Sequence, residues 1–195
     1  MTDGRVAPEL DGERLAAWTL SLAWAEHQSF VAVGRWSTAA TLDGVTAALA
    51  PVSAHHGRRA DQLRALWPQR RGGLDGAAAA TAPPEVDSDP LNGLINAVIE
   101  ADGSFGPSGD PGWSTHTSLA ALGMVTQVIL PRLMVGYKKI LKLSSAPSDT
   151  SIRRVGELAL ADATADFLAV TAELAALDGF PSVSALVGMY HRPSG

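Results

Sequence analysis

The sequence predicts an all-α protein, an antiparallel four-helix bundle. Three observations lead there. Four long stretches repeat apolar residues at intervals of three and four, the period of a helix with one buried face. The links within the first pair and within the last pair are short, as between antiparallel neighbours. A long segment rich in Gly, Ala, Pro and Asp separates the pairs, which suits a crossover running the length of a bundle.

The first helix is expected over about 9–36. Pro8 suits a first turn, and Glu9, Asp11 and Glu13 complement the positive end of the helix dipole. Trp18, Leu22, Ala25, Ser29, Val33 and Trp36 form its buried stripe. The second helix, about 42–67, places Leu42, Val45, Leu49, Val52, His56, Leu63 and Leu66 on one face and stops at Trp67-Pro68, because proline disfavours helix at the residue before it. Pro51 within it is expected to kink the helix or delay its start.

Residues 68–113 form the crossover, with Pro83-Pro84, Asp89-Pro90 and the run DGSFGPSGDPG at 102–112. Only Leu91 to Ala101 is apolar enough for a short helix inside it. The third helix, about 114–143, takes Ser114 or Thr115 as its cap and keeps Leu119, Leu122, Thr126, Ile129, Leu133, Tyr137 and Ile140 in line. The fourth, about 150–178, begins at Asp149 or Thr150 and carries Leu160, Ala163, Phe167, Val170, Leu174 and Leu177. Phe180, Val183, Leu186, Val187 and Tyr190 suit a short C-terminal helix closing one end. The 195 residues are read as a single domain, 1–195, large enough to bury roughly two-thirds of the surface its unfolded chain exposes.

Composition narrows the function. There is no cysteine, which removes thiol catalysis and thiolate metal sites, and a reducing cytoplasm is the default location. A net charge of −5 with 15 scattered Lys and Arg offers no basic face for nucleic acid. The cluster Lys138, Lys139 and Lys142 reads as a helix C-terminus favoured by its dipole. The first residues, MTDGRVAPELDGERL, lack the apolar run of a signal peptide. Leu119 to Val135 is apolar, but Gln127, Pro131 and Arg132 interrupt it as a membrane span, so no membrane partner is expected.

Two ionisable residues fall where apolar ones belong. Glu26 lies between Leu22 and Phe30 on the first helix, and His56 lies in the stripe of the second. A buried carboxylate is costly unless it is paired, hydrogen-bonded, protonated or bound to metal. Antiparallel pairing about a link near Ala40 brings His56 within roughly one helical turn of Glu26. Asp162 and Asp166, four apart on the fourth helix, make with Glu173 an acidic row that is ordinarily a solvated face. Turned inward, Glu26, His56 and Asp162 would suffice for one ion of iron, manganese or zinc.

Two helical hairpins, a long connection, a mid-helix carboxylate in the first helix and a mid-helix histidine in the second resemble the ferritin-like superfamily. That resemblance implies a di-iron centre built from Glu in helices one and three and Glu-x-x-His in helices two and four. Glu26 matches the first position and His56 the histidine of the second. Three residues before His56 stands Ser53, the third helix has no Asp or Glu, and the fourth has no His. Too few carboxylates remain to balance two irons, so the motif is degenerate and a full di-iron centre is not expected.

The first functional expectation is therefore a ferritin-like bundle acting as a non-catalytic binding or interaction protein, a homodimer whose Ala-rich surface and five tryptophans suit close helix packing. The alternative is a metal-dependent oxidoreductase or hydroxylase-like enzyme with a non-standard site at Glu26 and His56. A third is a small-molecule pocket lined by Trp18, Trp36, Trp67 and Trp113, with 102–112 as its lid. A His55, His116, His191 cluster, a serine nucleophile among Ser114, Ser118 and Ser144, and a phosphate loop among the glycines of 102–112 all lack the spacing that such sites require.

Overall fold

The computed structural model describes residues 8–66, 113–144 and 149–177. Among these residues the protein is all-α, with four long helices and no strand. We label them α1 (Pro8–Ala39), α2 (Asp43–Ala65), α3 (Thr115–Leu143) and α4 (Thr150–Ala176). Trp67, the crossover, the short helix at Leu91 to Ala101, the loop at 102–112 and the C-terminal segment with His191 lie outside the described residues.

α1 and α2 pack along their length, joined only by residues 40–42. Small residues let their backbones approach. Ser53 Oγ donates to the Phe30 carbonyl at 3.0 Å, a Cβ on Gly34 would stand 3.0 Å from that hydroxyl, and one on Gly57 would stand 3.2 Å from the Phe30 ring. Contacts that join 34 to 53, 30 to 57 and 26 to 59 show numbering that rises along one helix as it falls along the other. This register places Glu26 and His56 at the same level.

α2 begins at Asp43, close to the expected start, so Pro51 does not delay it. The helix continues through Pro51, whose missing N–H removes one ladder bond from an exposed turn without ending the helix. Ser114 caps α3, its Oγ accepting from Thr117 N at 3.2 Å. Ser118 Oγ, one turn on, accepts from Thr41 N at 3.0 Å and so ties the start of α3 to the α1–α2 link.

α3 contains a single wide π turn, Val125–Ile129, where the Leu130 N–H reaches back to the Val125 carbonyl. Pro131 follows at once. In a regular α-helix its ring would collide with the carbonyl four residues earlier, and the extra residue in the turn relieves that clash so the helix continues to Leu143. The wide turn also rephases the helix, so that Leu119 and Leu122 before it and Leu133, Tyr137 and Ile140 after it all face the interior.

By length and composition α3 is apolar enough to cross a membrane, yet most of its apolar stretch is buried inside this protein. The other helices surround it. Trp36, Leu22, Leu49, Leu63, Leu119, Leu122, Ile129 and Leu130 are fully buried in one continuous core, each large side chain worth about 1.5–3 kcal/mol by removal from water. Trp18 and Trp113 are buried in it too. Lys139 Nζ lies 5.6 Å from the Trp18 ring centroid, a cation–π contact.

α4 is the least covered of the four. Its buried residues are Gly156, Ala159, Ala163, Asp166 and Val170, all but Asp166 small or medium, so the helix sits close on its neighbours with little side-chain bulk between. Gly156 is one such approach, where an added Cβ would lie 3.1 Å from Leu141 of α3. Leu160, Phe167, Leu174 and Leu177, expected as its stripe, pack at the edge of the core half-buried. The helix ends at Ala176, close to the expected boundary.

Candidate functional site: a buried charge network

Glu26 is completely buried, one turn beyond Leu22 on the inner face of α1. Its two carboxylate oxygens are both engaged. Oε2 meets His56 Nδ1 at 2.5 Å, while Oε1 accepts from Arg59 Nε at 2.8 Å and from the Tyr137 hydroxyl. His56, Arg59 and Tyr137 are likewise without solvent contact.

Arg59 then extends the network. Its Nη1 donates at 2.8 Å to Oδ2 of Asp166, which is almost completely buried on α4. The other oxygen of Asp166 lies 2.6 Å from Nδ1 of His55, a side chain 35% exposed. The result is an unbroken run of hydrogen bonds from the surface at His55, through Asp166 and Arg59, to Glu26, His56 and Tyr137. Each of the four helices contributes at least one member.

Physical chemistry fixes the charge states at its centre. Burial alone would raise the Glu26 pKa, but the charges of His56 and Arg59 and the hydrogen bonds from His56 and Tyr137 outweigh it and hold the carboxyl below its ordinary value. Burial disfavours the Arg59 cation, and Glu26, Tyr137 and Asp166 more than restore it, so its pKa is raised. Burial and the adjacent Glu26 anion push the Tyr137 phenol well above its usual range, against a smaller opposing effect of Arg59. Glu26 is thus an anion, Arg59 a cation and Tyr137 a neutral donor.

An ionised Glu26 also settles which His56 ring nitrogen donates to it. Nδ1 must carry a proton to donate to Oε2, so the Arg59 Nη2 that lies 3.0 Å from Nδ1 is a close neighbour and not a donor to it. Nε2, on the far side of the ring, is buried with no hydrogen-bond partner. An imidazole held at one nitrogen by a carboxylate is oriented in the way that metal-bound histidines are.

The network nevertheless does not fit a cation at Glu26. Both oxygens are taken by donors, and a guanidinium lies against the carboxylate where an ion would have to approach. Among the described residues no group of three or more His, Asp or Glu is arranged to hold a metal. Asp162, expected as the third ligand, instead faces outward and pairs with Arg58 at 2.6 Å, both partly exposed. Its neighbour one turn on, Asp166, is the inward acid.

Arg59 and the Tyr137 hydroxyl carry no signal in the sequence analysis above, and Asp166, expected in a solvated acidic row, is instead turned inward. His55, weighed in the sequence only as part of a cluster with His116 and His191, joins this network through Asp166. His27 lies elsewhere, between the rings of Trp24 and Phe30, at centroid distances of 6.4 Å and 6.2 Å. His116 is exposed at the start of α3.

The lowered Glu26 pKa carries a pH prediction. A group whose pKa falls on folding contributes stability above its unfolded value, about 4.5, and that contribution disappears as pH drops through the lower folded value. Urea unfolding of wild type and Glu26→Gln, measured from pH 7 downward, is expected to show a wild-type advantage that holds to about pH 4.5 and shrinks below it. An advantage that does not change with pH would mean that Glu26 is not ionised inside the protein.

Comparison of the chain with protein-family models, with known proteins and with solved structures found no match.

Proposed function

We propose that this is a ferritin-like, antiparallel four-helix bundle in which a buried ion-pair network stands where a metal centre would be, and that it serves as a non-catalytic binding or interaction protein, assembled as a homodimer. One observation carries this reading. Glu26, the residue best placed to be a ligand, has both oxygens satisfied by Arg59, His56 and Tyr137. A guanidinium bridging Glu26 to Asp166 supplies the positive charge that an ion would otherwise bring, and supplies it permanently.

The network then does structural work. It links four helices whose apolar faces alone would tolerate sliding, because only one arrangement satisfies all of its donors and acceptors together. The alternative, a metal-dependent oxidoreductase using Glu26 and His56, is favoured by the partnerless Nε2 of His56 and by little else.

Elemental analysis of protein purified without a histidine tag separates the two. The proposal expects iron, manganese and zinc all well below one equivalent per chain, and a melting curve unchanged by a chelator. Stoichiometric metal that disappears in His56→Ala or Glu26→Ala would overturn it in favour of the enzyme.

A further inference from the structure

The outer face of α4 carries a repeat that its inner packing does not use. Leu158, Ala161, Ala165, Leu168, Ala172 and Ala175 follow one another at alternating intervals of three and four residues, and all six are exposed. Leu158 and Leu168 are 53% and 63% exposed, the most open large apolar side chains among the described residues. Strict three-four spacing over about 26 Å of helix is the seam of a two-helix coiled coil, a narrower stripe than a globular core demands.

We propose that this stripe is the contact between two copies of the chain, with α4 of one lying antiparallel to α4 of the other across a two-fold axis. The inference rests on the homodimer named above and assigns its surface. Size complementarity selects the second copy as occupant. In the antiparallel register Leu158 of one copy meets Ala175 of the other, Ala161 meets Ala172, and Ala165 meets Leu168, so every leucine faces an alanine and none faces a leucine. The distance between packed helices depends on the side chains at each layer. Alternating large with small keeps that distance short and even along the seam. Parallel pairing would instead set leucine on leucine at two layers and alanine on alanine at the rest, opening gaps between them.

The flanking charges agree. Thr164 faces Thr171 and Asp162 faces Ala169 across the axis, so these two flanking layers oppose no like charges. Asp162 is in any case paired with Arg58 of its own copy. Arg154, exposed one step before the stripe, extends past the end of the other copy's α4 at Ala176. There the last carbonyls lack helical partners and the helix dipole favours a cation. A two-fold axis satisfies both ends with the same contact.

Light scattering on the eluting full-length chain tests the surface and the homodimer separately. Wild type is expected at twice the 20.2 kDa chain mass, and Leu168→Asp at the monomer mass with the same helical circular dichroism, since Leu168 is outside the core. The chain has no cysteine of its own, so Ala165→Cys with Leu168→Cys is expected to cross-link between copies under mild oxidation, whereas Leu158→Cys alone is not. Cross-linking by Leu158→Cys alone would overturn the antiparallel register. A wild-type dimer that survives Leu168→Asp and resists the paired cysteines would overturn this surface while leaving the homodimer standing. A wild type that elutes as a monomer would overturn both, and would mean that another part of the chain or a different protein covers the stripe.

Discussion

Replacing Arg59 with methionine is expected to cost about 3–5 kcal/mol, the usual penalty for removing one partner of a buried ion pair. Methionine fills much of the same volume, so the loss is electrostatic before it is steric. Glu26 would keep its bonds from Tyr137 and His56, and Asp166 its contact with His55, but two carboxylates would remain in the interior without the cation that bridges them. At about 2–4 °C per kcal/mol for a chain of this size, the melting temperature should fall by roughly 6–20 °C. Arg59→Lys separates charge from geometry: lysine retains the charge as a single point and cannot reach both carboxylates with a planar fork. An intermediate loss is expected for it. A change below about 1 kcal/mol in Arg59→Met, the level of an exposed pair, would show that the guanidinium is not buried between Glu26 and Asp166.

Why Arg59 was invisible in the sequence is instructive. Val52, His56, Arg59 and Leu63 follow the three-four spacing of the α2 stripe without a break, and position alone marks Arg59 as inward. Residue type argued the other way, because arginine is almost never fully buried unless it is paired, and its partners sit on other helices. Glu26 and His56 were legible because the short α1–α2 link fixes their level, and a nearby contact needs no knowledge of the rest of the fold. Tyr137 was placed correctly as a buried stripe residue. Its hydroxyl, which must find a partner once buried, was the overlooked pointer to a polar centre.

Asp166 was harder. Ala-rich α4 offers weak contrast between its faces, and a stripe drawn through Leu160, Ala163 and Phe167 is turned from the one through Ala159, Ala163, Asp166 and Val170 that packs inward. That small rotation carries Asp166 onto the inner face, while Asp162, one turn earlier, stays at its rim. The same contrast failure hid the outer seam, whose leucines were counted neither as core nor as surface.

Glu26→Ala is expected to be as damaging as loss of Arg59, for a different reason. The carboxylate accepts from three buried donors at once, the Arg59 Nε, the His56 Nδ1 and the Tyr137 hydroxyl. Alanine removes both acceptor oxygens and strands all three donors in the interior. Each abandoned donor costs about 1–3 kcal/mol, so a loss of several kcal/mol follows even if the helices settle inward. Glu26→Gln, of the same shape, keeps one carbonyl acceptor and is expected to lose less. Combining the two sites gives the sharper measurement. Once Glu26 is gone, Arg59 is held by Asp166 alone and is partly a liability, so Glu26→Leu with Arg59→Met should be less destabilised than the sum of the single changes. Chemical denaturation of the four proteins in that cycle reads the coupling directly. Simple additivity would mean that the two side chains do not interact in the folded protein, and the ion-pair network would lose its central bond.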